Sequence, residues 1–167
     1  MSVLREKALR RRRLYVDTSA YLCMLLAEEG WEPLSKETEG AELLSSVILI
    51  LEAKRNLVRL AREGALTPEQ YKTCIDHVEQ DTTVFVLRDL TLDLCQSHVL
   101  PAVTTPRSLD LAHLRSALWF HDMEGIDRFV TKDESQREAA KELGLPVTRG
   151  RSLHEEPSPE KGASRDR

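Results

Sequence analysis

Apolar and polar positions alternate along this chain in blocks whose period changes several times. The first apolar block, Leu14–Tyr15–Val16, is short and stops at Asp17, which suits a buried strand better than a helix. "TSAYLCMLLAEEG" follows with the denser apolar content of a helix and breaks at Gly30. Residues 31–40, "WEPLSKETEG", are polar and interrupted by Pro33 and Gly40, and read as a loop. In "AELLSSVILILEAKRNLVRLAREG" a short strand or turn gives way to an amphipathic helix, with Leu49, Ala53, Leu57 and Leu60 at helical spacing and Gly64 at the close. The next helix opens with Thr67 as N-cap, Pro68 at the first helical position and Gln70 completing a capping box. "TVFVLRDL" reads as a strand and "TLDLCQSHVLPAV" as a helix up to Pro101.

"SLDLAHLRSALWFHDMEG" predicts a helix that starts behind Pro106 with Ser108 as N-cap and ends at Gly125. "DRFVTKD" is another short strand that ends in an acid. "ESQREAAKELGLPVTRG" supplies a helix closed by Gly144 and an edge strand over "LPVTR". From Gly150 onward the chain is poor in apolar residues and rich in Pro, Ser and charge, the composition of a disordered tail. Strands that alternate with helices predict an α/β domain with a mainly parallel sheet. The expected organisation is a basic extension over 1–13, one folded domain over 14–149 and a tail over 150–167.

Composition narrows the class. The chain has 167 residues, 41% of them hydrophobic and 31% charged, enough for one globular domain with its own core. No apolar run approaches the roughly 20 residues of a membrane span, and no secretory signal precedes the first strand, so a cytoplasmic protein is expected. Cys23, Cys74 and Cys95 are far apart and form neither a disulfide framework nor a zinc motif, and read as three buried thiols. The net charge of −4 argues against a surface that wraps nucleic acid throughout. Yet Arg5, Lys7 and Arg10 to Arg13 stand against the single acid Glu6, a basic run that reads equally as an RNA-binding arm, a subunit contact or the product of an upstream start codon.

Four acids occupy comparable places. Asp17 and Asp133 each end a strand beside hydroxyls, Thr18 and Ser19 in one case and Thr131 in the other. Asp110 falls in a first helical turn, and Glu52 sits within a helix with Arg55, Asn56 and Arg59 on its face. Singly, the two strand-end acids could be helix caps, Asp110 a complement to the helix dipole, and Glu52 half of a solvated ion pair. In a parallel sheet, strand carboxyl ends and helix N-termini share one side, so three of the four can converge there. Such a cluster repels itself unless a hard divalent ion with oxygen ligands relieves it.

In this order and spacing, "YVDTSAYL", "LLSSVILILEAKRNLVRLAREG", "SLDLAHLRSAL" and "FVTKDESQREAAKELGLPV" resemble the PIN domain, most closely the VapC-type ribonuclease toxins of toxin–antitoxin systems. The resemblance covers about Leu14 to Val147 and implies a three-layer α/β/α domain. It also implies a metal-dependent endoribonuclease in which Asp17, Glu52, Asp110 and Asp133 are catalytic and hold one or two Mg²⁺ or Mn²⁺ ions. Ser19 and Thr131 would orient the carboxylates, while Arg55, Arg59, Arg107 and Lys132 are candidates for RNA phosphate contacts. Lys132 departs from the apolar or aromatic residue often found before the last Asp. By the same resemblance the partners are an RNA substrate, a cognate antitoxin and a second copy of the chain. His113 is read as a packing or hydrogen-bonding residue.

Rival readings lack their motifs. Ser19 occupies the position where a haloacid-dehalogenase phosphatase would carry its second Asp, and neither GxxxxGK[ST] nor GxGxxG occurs. A non-catalytic PIN-fold module that binds RNA or protein, or an RNA-processing nuclease outside toxin–antitoxin systems, remains the alternative.

Overall fold

The computed structural model describes residues 10–96, 103–104 and 107–147. Residues 1–9 of the extension and the tail from 150 therefore lie outside the described residues, as do residues 97–102 of the "TLDLCQSHVLPAV" segment and Thr148–Arg149. Within the described residues, four strands alternate with seven helices: β1 (Arg13–Val16), α1 (Thr18–Leu25), α2 (Trp31–Thr38), β2 (Glu42–Ser46), α3 (Ile48–Arg62), α4 (Pro68–Asp81), β3 (Val86–Arg88), α5 (Leu92–Gln96), α6 (Ser108–Glu124), β4 (Arg128–Val130) and α7 (Glu134–Glu142).

The sheet is wholly parallel, in the order β3-β2-β1-β4. Period-two alternation splits β1 between two cores. Leu14 and Val16 face Ala20, Tyr21 and Cys23 of α1, Leu49, Ala53 and Leu57 of α3, and Val78 of α4. Tyr15 faces the other way, with Leu44 and Phe129 beside it in register, onto Leu114, Ala117 and Phe120 of α6 and Ala139 and Ala140 of α7. The domain is a three-layer α/β/α sandwich. The chain runs outward from β1 to β2 and β3, then returns to place β4 on the far side of β1. The carboxyl ends of β1 and β4 thus flank the point where strand order reverses, where parallel sheets open a crevice.

Local signals explain several boundaries. Asp17 caps α1 by accepting from Ala20 N, and Thr67 and Gln70 form the expected reciprocal box at α4, with Pro68 leading. Other segments differ from expectation. Residues 31–38 are a helix, not a loop: Pro33 falls in its first turn, where the missing N–H has no intrahelical partner to lose, and Leu34 anchors it. Arg107, not Ser108, is the N-cap of α6. Leu60 is only half-buried, because α3 has rolled past the core by its last turn. Among the thiols Cys23 is buried, Cys74 half-buried and Cys95 exposed. Val147 makes a single parallel bridge to Phe129 where an edge strand was expected.

The basic run enters the sheet. Arg13 is buried, donating to Glu42 Oε2 at 2.6 Å and the Gly125 carbonyl at 2.7 Å, while Arg10 and Arg12 donate to the carbonyls of Glu124 and Glu37. These three arginines tie β1 to its surroundings at the strand end remote from Asp17.

Gly30, between α1 and α2, has φ +87°, and a Cβ there would stand 3.0 Å from Lys132 Nζ. Gly30→Ala should lower stability by about 1 kcal/mol through left-handed strain, read as a drop in melting temperature. An unchanged melting temperature would show that this turn relaxes freely.

Candidate metal centre

Asp17 is set by the end of β1. It is 4% exposed, and both carboxylate oxygens are engaged. Oδ1 accepts from Ser19 Oγ at 2.8 Å and Ala20 N at 2.9 Å, and Oδ2 accepts from Thr131 Oγ1 at 2.5 Å. Because β1 and β4 are neighbours, Thr131 lies directly across from Asp17. The two hydroxyls are 3.2 Å apart, and Asp133 N donates to Thr131 Oγ1 at 3.0 Å. Asp133 then caps α7 by accepting from Gln136 N. Gln136, buried, also donates its side-chain amide to the Asp110 carbonyl at 3.1 Å, tying α7 to the first turn of α6. Burial pushes the Asp17 carboxyl above its ordinary range, against the pull of His113 and of the bonds from Thr131, Ala20 and Ser19.

Glu52 comes from α3, on the opposite helical layer from Asp110. Its Oε2 accepts from Thr18 Oγ1 at 2.5 Å and from His113 Nε2 at 2.9 Å. Burial raises the Glu52 carboxyl, but the bonds from His113 and Thr18 together with the charges of His113 and Arg55 outweigh it, and the net shift is downward. No Glu52–Arg59 pair forms: Arg59 binds Glu63 one turn further on.

Asp17, Glu52, Asp110 and Asp133 all line one crevice of about 320 Å³, together with Thr18, Ser19, Leu22, Asn56, Arg107 and His113. Of the proposed phosphate contacts, Arg107 lies on this crevice. Arg55 and Arg59 line a separate groove along the outer face of α3 with Arg62. Lys132 turns back to donate to the Glu29 carbonyl at 2.8 Å. A larger groove of about 570 Å³ between α1, α2 and α4 contains Asp81 as its one acid, already bound by Tyr21, and offers no comparable chemistry. Asn56 was legible only as Glu52's neighbour one turn on, and its place on the crevice follows from the i, i+4 spacing.

The donor set suits a hard divalent cation: four carboxylates, with hydroxyls beside them and no thiolate. Among the described residues no three acidic, imidazole or thiol groups stand close enough to ligate one ion together. Any ion there would be held by one or two carboxylates and reached by the rest through water, as Mg²⁺ commonly is.

No family model and no curated protein matches the chain. Among solved structures, the crystal structure of PAE2754 from Pyrobaculum aerophilum is similar at a TM-score of 0.46 and 17% identity, over 81% of this chain and 83% of that one. No helix among the described residues is long and apolar enough to cross a membrane.

Proposed function

We propose that this chain is a PIN-like, Mg²⁺- or Mn²⁺-dependent endoribonuclease, the toxin of a toxin–antitoxin pair. The observation that carries the reading is the meeting of Asp17, Glu52, Asp110 and Asp133, from four separate segments, on one crevice at the reversal of strand order. A divalent cation there would lower the pKa of a bound water and neutralise charge on a phosphodiester. The protein's part is to hold the acids still. Ser19 and Thr131 fix the Asp17 carboxylate, Asp133 and Asp110 are linked through Gln136, and Thr18 with His113 fixes Glu52. His113 is 2% exposed with both ring nitrogens engaged, an arrangement for holding a neighbour and not for taking a proton from substrate.

Arg107 at the crevice is the candidate for placing a substrate phosphate. Arg107→Ala should raise KM for RNA about fivefold to tenfold at low salt, leave kcat nearly unchanged and reduce the salt slope of binding by about one. An equal loss in kcat would instead assign Arg107 to the reacting phosphate. By the same reading an antitoxin segment covers the crevice and two copies pair.

One observation favours a second reading. Both Asp17 oxygens already have protein partners, an arrangement that stands without an ion and so suits a PIN-fold module that binds RNA or protein without turnover. Purified protein offered tRNA and rRNA fragments with Mg²⁺, Mn²⁺ or EDTA separates the two. Cuts that require the ion support the nuclease. RNA retained uncut in every buffer supports the module.

A further inference from the structure

Tyr15 and Glu52 belong to different layers of the domain, yet one side chain joins them. Tyr15 is wholly buried, stacked on Phe129 with centroids 5.2 Å apart and planes 7° from parallel, and its position is fixed from β1 and β4 together. Its hydroxyl lies 2.9 Å from His113 Nδ1, and the imidazole meets the phenol edge-on. The other ring nitrogen, Nε2, lies 2.9 Å from Glu52 Oε2 and 2.9 Å from Thr18 Oγ1. The imidazole is gripped at both ends across the carboxyl edge of the sheet, from α6 on one side to α3 on the other.

We infer that His113 is a positioning residue whose imidazole, anchored by Tyr15, aims Glu52 into the acidic crevice and so sets the affinity of that crevice for a divalent cation. The inference rests on the metal-dependent reading above and names how one of its acids is held. An ionised carboxylate can only accept, so Nε2 carries the hydrogen of the His113–Glu52 bond whatever the charge on the ring. The bond at Nδ1 then keeps the ring from turning. Thr18 completes the hold on the same oxygen. Both bonds fall on Oε2, so Oε1 is the oxygen with which Glu52 can meet an ion or its waters. A glutamate has much rotamer freedom to lose, and without this clamp it would lose that freedom on binding the cation instead of on folding.

A packing role and a positioning role predict different rankings of two variants. In His113→Gln the side-chain amide reaches about as far as Nε2 and can still donate to Glu52. In His113→Asn it reaches only as far as Nδ1, toward Tyr15. Mn²⁺ affinity of the purified full chain would be titrated by electron paramagnetic resonance, with melting temperatures in chelator recorded beside it. Positioning predicts that His113→Asn, which loses the donor to Glu52, weakens Mn²⁺ about tenfold or more, while His113→Gln, which keeps that donor and loses only the anchor to Tyr15, weakens it less and to about the same degree as Tyr15→Phe. Tyr15→Phe keeps the stack but frees the ring, and should also weaken Mn²⁺; it supplies the test if His113→Asn does not fold. Affinities that follow melting temperature alone, or wild-type affinity in both His113→Asn and Tyr15→Phe, would overturn the inference while leaving the metal site standing. Absence of Mn²⁺ binding by the wild type would overturn both it and the reading beneath it.

Discussion

Asp17→Asn is expected to lower metal-dependent RNA cleavage by about a thousandfold, ~4 kcal/mol of transition-state stabilisation, while raising the melting temperature in chelator. The two effects have one cause. Asp17 is buried, and its folded carboxyl is raised chiefly by desolvation. A raised folded pKa means that stability is fully present below the unfolded value near 3.8 and is lost as pH rises through the folded value. A neutral amide carries no such loss at any pH. Asn still caps a helix and can still accept from Ala20 N. Each 1 kcal/mol recovered shifts the melting temperature by about 2–4 °C in a domain of this size. Activity assays and thermal melts with EDTA check the pair. Loss of activity together with loss of stability would mean that Asp17 is a structural cap and nothing more. Glu52 titrates in the opposite sense: its folded carboxyl is lowered, so its contribution is present above about 4.5 and lost as pH falls through the folded value.

The second large effect lies in the core behind the site. Phe129 is wholly buried in β4, in register with Tyr15 and stacked upon it. Phe129→Ala removes the ring and leaves a cavity between the sheet and α6, at about 3–5 kcal/mol. At about 2–4 °C per kcal/mol the melting temperature should fall by roughly 6–20 °C. Leu92→Ala on the exposed face of α5, where the side chain is 71% exposed, is the control and should stay within about 0.5 kcal/mol. Similar losses in both variants, followed by calorimetry, would contradict the core assigned to that face of the sheet.

The strand-end acids were legible because each strand is a short apolar run that stops at a carboxylate, as Leu14–Tyr15–Val16 does at Asp17 and Phe129–Val130 does just before Asp133. Parallel pairing then brings the two ends together without further information. The helix over 31–38 was hidden because a single buried residue, Leu34, leaves no periodicity to detect, and because Pro33 reads as a break. The cap of α6 was misplaced by one residue because Arg107 makes no side-chain cap bond. For Glu52 the sequence offered only neighbours within its own helix, of which Arg55 does help to lower its carboxyl. Its hydrogen-bond partners, His113 and Thr18, come from α6 and α1, and only the tertiary fold brings them there. For the same reason the sequence left the role of the basic run open, and only the fold shows that its last arginine, Arg13, pairs with Glu42 and donates to the Gly125 carbonyl.

The most direct test is anomalous diffraction from crystals of the full chain soaked in Mn²⁺. A peak within the crevice bounded by Asp17, Glu52, Asp110 and Asp133, absent from Asp110→Asn crystals, is the predicted result. An empty crevice in crystals of protein that still cuts RNA only with Mn²⁺ would contradict the assignment of these four acids.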